Sequence, residues 1–125
     1  MLLGIEIGGT KLQLGVGEGD GLPLAELVRL DVQPQLGAER IREQIQQAAA
    51  ALIARHAPRA VGFGFGGPVD SASGRTRISH QVEGWRDFPL ADWTRQTLGL
   101  PALVASDSDC AGLAEARFGA GRDAR

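Results

Sequence analysis

The first seventeen residues leave little choice of local structure. "LLGIEI" (residues 2–7) places Leu3, Ile5 and Ile7 on one face and Gly4 and Glu6 on the other, and "KLQLGVG" (11–17) repeats the pattern with Leu12, Leu14 and Val16. A period of two belongs to a strand with one face buried. The intervening "GGT" marks a tight glycine-rich turn. After "GEGDGLP", the segment "LAELVRLDV" reads as a third strand, so the domain opens with an antiparallel meander.

The period then changes. In "GAERIREQIQQAAAALIARH", Ile41, Ile45, Ala48, Ala49, Leu52 and Ile53 recur at helical spacing, and Pro58 stops the run. "AVGFGF" is a short apolar strand, "GGPVDSASGR" a loop of turn formers, "PLADWTRQTLG" a helix, "PALVAS" a strand, and "DSDCAGLAEARF" a further helix ending at Gly119. Three strands followed by helix, strand, helix, strand, helix predict an α/β domain with a mixed sheet. At 125 residues the chain has room for one core, burying roughly two thirds of its unfolded surface. The tail "GAGRDAR" is glycine-rich and charged, as where a chain leaves a domain.

Charge and cysteine content exclude several functions. A net charge of -2 offers no basic surplus for nucleic acid or an anionic membrane. Cys110 has no second thiol to pair with, and with only His56 and His80 beside it the chain lacks the usual ligands of a zinc site. "MLLGIEIGG" has no basic leader and no apolar run of membrane-span length, so a reducing, cytoplasmic setting is expected.

Three motifs and several single residues divide between functional and structural readings. "GIEIGGTK" (4–11) looks like a phosphate cradle, but a P-loop needs Lys before Ser or Thr, and here Thr10 precedes Lys11. "GFGFGG" (62–67) satisfies G-x-G-x-x-G, yet Pro68, Val69 and Asp70 lead into a loop where a dinucleotide site needs a helix. "SDSD" (106–109) is what a helix start looks like, with Ser106 or Asp107 as cap, and is also placed for a catalytic carboxylate at the end of a strand. Glu6 and Lys11 read equally well as solvated charges, whereas Trp85 and Trp93 are most simply core or interface aromatics and His80 and Cys110 most simply structural residues.

Taken together, "GIEIGGTK", "VGFGFGGPVD", "EGWRDFPL" and "VASDSDCAGLAEARFGAG" occur in an order and spacing that resembles the N-terminal domain of ROK-family sugar kinases, the bacterial glucokinase-like group, over residues 1–121. The resemblance implies a ribonuclease H-like lobe of the actin, hexokinase and Hsp70 superfamily, with residues 122–125 leading toward a second lobe. It implies that ATP with Mg2+ and a hexose-like sugar bind between two such lobes. The Gly8, Gly9, Thr10, Lys11 turn would face the ATP phosphates, and Glu6 would hold Mg2+ through water. Asp107 would be the base that takes the sugar hydroxyl's proton.

Gly66, Gly67, Gln81, Ser106 and Asp107 would line the sugar. Ser106 and Gln81 stand where the family has asparagines, and Gly66 where proline is frequent. The second lobe, supplied in cis or in trans, would add the rest of the nucleotide site and a structural zinc. Homodimerisation is also compatible with the resemblance. The family's repressors carry an N-terminal helix-turn-helix, and with the first strand starting at residue 2, DNA binding is disfavoured. The rival expectation is a non-catalytic one-lobed module derived from such a kinase, with a binding, regulatory or dimerisation role.

Overall fold

The computed structural model describes residues 1–18, 24–79 and 82–106. Its sheet begins with strands β1 (Leu2–Ile7), β2 (Lys11–Gly17) and β3 (Glu26–Asp31), the expected meander. β1 and β2 are antiparallel with Ile5 opposite Leu14, and β2 and β3 with Leu14 opposite Val28. The chain then forms a 3₁₀ turn (Pro34–Leu36) and helix α1 (Gly37–His56), and returns as β4 (Val61–Phe65). β4 lies parallel to β1, with Ile5 opposite Phe63. A small hairpin of β5 (Val69–Asp70) and β6 (Arg75–Thr76) precedes α2 (Leu90–Leu98) and β7 (Ala102–Ser106), which runs parallel to β4. The strand order β3-β2-β1-β4-β7 makes a mixed sheet of the ribonuclease H type, and the expected fold class holds.

The core follows from the two periodicities meeting. Leu3, Ile5, Ile7, Leu12, Leu14 and Val16 turn one sheet face toward α1, whose Ala38, Ile41, Ile45, Ala49 and Leu52 are buried against it. Phe63, Phe65, Val104, Leu90 and Trp85 complete that layer on the α2 side. α1 stops because Ala57 adopts a left-handed conformation (φ 49°) and donates its N–H to Ile53 O, and Pro58 cannot continue a helix. α2 ends the same way at Gly99 (φ 76°), whose N–H reaches Arg95 O.

One element departs from expectation. Residues 66–75 read as a loop, but Val69 pairs with Thr76 and Asp70 with Arg75. The Asp70 carboxylate accepts from the Ser73 N–H (3.4 Å), and hydrogen bonding from Ser73 holds it below the usual carboxylate range. Gly74 (φ 69°) lets the turn touch α2: a Cβ there would lie 2.4 Å from Ala91 Cβ, and Ala91 N donates to Gly74 O. A two-residue ladder is too short to produce a period in the sequence.

The open end of β3 is tied to the end of α1 by charge. Arg55 donates to both carboxylate oxygens of Glu26, and His56 Nε2 lies 2.8 Å from Glu26 Oε1. These hydrogen bonds, Arg55's first, hold the Glu26 carboxyl down at about 2. A depressed carboxyl pKa stabilises the fold above its unfolded value, and that contribution disappears as pH falls from about 4.3 through the folded value. Glu26→Gln is therefore expected to be less stable than the parent at neutral pH. The difference in urea midpoint should close as pH falls across that window, and a gap that stays constant with pH would refute the clamp.

Candidate functional site

β1, β4 and β7 are parallel, so their carboxyl ends emerge at one sheet edge. Ile7 lies opposite Phe65, and Phe65 opposite Ser106. Open α/β sheets form their ligand crevices at such an edge. The β1–β2 hairpin tip, residues 8–11, projects from the same edge, and the bend after β4 is bonded to it through Gly66 N–H to Ile7 O (2.9 Å). The fold thus brings together Glu6, Gly8, Gly9, Thr10, Lys11, Gly66, Gly67 and Ser106. Gln81 and Asp107, expected to join them, lie outside the described residues, as do His80, Cys110 and the helix expected over 107–118 with its expected cap beyond Ser106.

Neither glycine motif opens a helix. Gly62 and Gly64 sit inside β4, and the chain beyond Gly67 enters the β5–β6 hairpin, so the G-x-G-x-x-G is a strand and its exit bend. The "GGTK" stretch is a hairpin tip. Gly8 N–H donates to Lys11 O (3.0 Å) and Thr10 O accepts from Val32 N–H (2.8 Å). Gly8 shapes the turn: a Cβ on it would sit 3.2 Å from Lys11 O. Among the described residues the Gly9 and Thr10 N–H groups have no acceptor; Gly9 is half-buried, Thr10 is exposed, and Lys11 follows them in the turn. N–H groups and a cation at a tight turn are the donor chemistry an anion needs.

Glu6 is exposed on the sheet face opposite α1, as the alternation predicts, between Gln13 on β2 and Gly64 on β4. Its carboxylate has no hydrogen-bond partner among the described residues. No group of three or more His, Cys, Asp or Glu gathers among those residues, so a divalent cation would meet one hard oxygen donor there and not a cage.

The Gly67 bend is fixed by backbone. Arg77 N–H donates to Pro68 O (2.9 Å), and a Cβ at 67 would lie 2.7 Å from Ile78 O and 3.1 Å from Phe65 Cε2. Neither neighbour is a flexible side-chain end. Gly67→Ala is expected to cost about 1–3 kcal/mol by overpacking and to shift the bend; a urea midpoint equal to the parent's would show that the close approach carries no constraint.

Sequence reasoning missed Asp31. It lies directly opposite Lys11 in the β2–β3 ladder, with Lys11 Nζ 2.5 Å from Asp31 Oδ1. The hydrogen bond from Lys11, reinforced by its charge, holds the Asp31 carboxyl below its ordinary range. Alternation alone places both residues on the outer face, but only the register across the 18–25 connection makes them neighbours.

The ROK family model matches residues 2–125, and the chain belongs to the ROK family. The glucokinase of Thermotoga maritima is 29% identical over 121 residues, covering 97% of this chain and 38% of that protein. The glucokinase of Streptomyces coelicolor is 30% identical over 125 residues, covering 100% and 38%. A ROK family glucokinase from Streptomyces griseus, solved in complex with glucose and AMPPNP, superposes with a TM-score of 0.75 at 35% identity, covering 96% of this chain and 37% of that one. The chain therefore spans less than two fifths of the length of these relatives.

Proposed function

We propose that the chain is the sugar- and phosphate-binding lobe of an ATP-dependent sugar kinase, glucokinase-like, that transfers the γ-phosphate of ATP to a hexose hydroxyl in the cytoplasm. The observation that carries this reading is the meeting of the hairpin tip, Glu6, the Gly66–Gly67 bend and Ser106 at the carboxyl edge of the parallel strands. The similarity to a glucokinase solved with glucose and AMPPNP supports both ligand classes.

On this reading the Gly9 and Thr10 amides, the Thr10 hydroxyl and Lys11 bind the phosphates, with Gly8 setting the turn. Glu6 would hold Mg2+ through water, and the metal would supply charge neutralisation at the phosphates. The Gly66–Gly67 bend, Gln81 and Ser106 orient the sugar, and side chains that read hydroxyls discriminate steeply between hexoses. Asp107 accepts the hydroxyl's proton as that oxygen attacks the γ-phosphorus, while the bond from that phosphorus to the β–γ bridging oxygen breaks and ADP leaves. Protein groups in phosphoryl transfer mainly position and stabilise charge, so an ordered edge of this kind is what the reaction requires.

A second lobe, in cis or in trans, closes over the edge. The experiment is a coupled ADP-release assay on the chain joined to such a lobe, across hexoses and N-acetylhexosamines. Sugar-dependent ADP release is expected. Absence of release with every sugar, while both ligands bind, would instead identify a non-catalytic binding module.

A further inference from the structure

We propose that Asp31 is a positioning residue of the hairpin tip: it holds the Lys11 ammonium against β3 and yields it to an incoming polyphosphate, so that its carboxylate sets the affinity for the triphosphate donor. The inference rests on the reading of residues 8–11 as a phosphate seat and adds a third strand to that seat.

The geometry carries it. Lys11 and Asp31 form one cross-strand rung, and Gln13 and Arg29 form the next on the same face, where Arg29 Nε donates to Gln13 Oε1 (2.9 Å). Both cations at this end of the sheet are thus turned sideways along the ladder. Asp31 stands on a fixed backbone: its carbonyl accepts from Gln44 Nε2 on α1 (3.0 Å), and the following N–H, of Val32, donates to Thr10 O in the tip (2.8 Å). Lys11 has a flexible four-carbon stem and can leave.

The energetics favour exchange. The Lys11 and Asp31 side chains are 70% and 81% exposed, and an ion pair in such surroundings contributes little. A triphosphate brings several negative charges to the same ammonium, together with acceptors for the unpartnered Gly9 and Thr10 amides. Asp31 opposes it twice, by occupying the cation and by placing a like charge beside the seat. When the lysine leaves, the carboxyl loses the hydrogen bond that depresses it, so donor binding raises the Asp31 titration midpoint toward the ordinary aspartate range.

The test titrates the chain with magnesium-free tripolyphosphate by calorimetry at fixed ionic strength, using the parent, Asp31→Asn, Lys11→Met and the double variant. Both side chains are exposed, and circular dichroism checks that the variants fold. Asp31→Asn is expected to bind about one-and-a-half- to fivefold tighter, the scale of one exposed ion pair. Lys11→Met should bind more weakly, and most of the Asp31→Asn gain should vanish in the double variant. Carbon-detected NMR of the parent should show the Asp31 midpoint rising on saturation. Unchanged or weaker binding by Asp31→Asn, an equal gain with and without Lys11, or an unmoved Asp31 midpoint overturns the role of Asp31 and leaves the phosphate seat standing. Tripolyphosphate binding that never depends on Lys11 overturns the seat and this proposal together.

Discussion

Truncating Trp85 to alanine is expected to lower the unfolding free energy by about 3–5 kcal/mol. Its side chain is buried to 1% exposure and is the largest in the core. It meets Phe65 edge-on (centroids 5.3 Å, 73°) and Phe88 likewise (5.6 Å, 83°), and the Arg42 guanidinium lies over it at 5.3 Å. Removal leaves a cavity between β4 and the segment before α2, and strips Arg42 of part of its aromatic seat. Domains of this size are stable by roughly 5–15 kcal/mol, so the loss takes a large share. Phe65 precedes the Gly66–Gly67 bend, so the cavity also loosens the wall behind the proposed sugar edge. Urea unfolding followed by circular dichroism measures it, with Trp85→Phe as the milder companion; a loss under about 1 kcal/mol would mean that this cluster does not organise the core.

The second large effect concerns chemistry. On the proposed function, Asp107→Asn in a two-lobed protein is expected to reduce kcat by about 10²–10⁴-fold, the usual contribution of a positioned base. Asparagine keeps the shape and loses the proton acceptor. Nucleotide affinity should be unchanged, because the residue acts on the sugar hydroxyl and the hairpin tip supplies the phosphate contacts. Kinetics and equilibrium nucleotide binding on the same preparation separate the two. Full activity in the variant would remove Asp107 from the base role, and a parallel loss of nucleotide binding would show a structural defect instead.

The elements that were legible in the sequence are those with many repeats of one period. Leu3, Ile5 and Ile7 against Leu12, Leu14 and Val16 fixed the hairpin and its buried face, and the Ile41, Ile45, Ala49, Leu52 stripe fixed α1 to its observed bounds, Gly37–His56. The order of Thr10 and Lys11 separated the tip from a P-loop, and the structure agrees, since Lys11 opens strand β2 and not a helix. The β5–β6 hairpin was not legible because it is set by Gly74 and by Ala91 beyond it, a contact that no local pattern encodes. The glycines of 62–67 with Pro68 showed that a loop follows β4, but not that the Gly67 backbone there closely approaches Ile78 O. Among the candidate site residues, Glu6, the tip, Gly66, Gly67 and Ser106 were predicted by resemblance and are brought to one edge by the parallel register. The Asp31 partner depended on register across a connection whose length the alternation does not constrain.

β1 is the hinge of this arrangement in time as well as in space. Leu3 meets Val16 across a tight tip on one side and Val61 on the other, after the whole of β2, β3 and α1 has been threaded past. Local contacts form early and distant ones late, because the intervening loop must be closed before they contribute. The tip is therefore expected to assemble with the first hairpin, and the Gly66–Gly67 bend and Ser106 to take their places when β4 and β7 dock. A ligand that spans both joins an early-folding half to a late-folding one, and by mass action its presence weights the chain toward the closed sheet. On the proposed function, substrate binding and the stability of the folded lobe are linked equilibria, joined through β1.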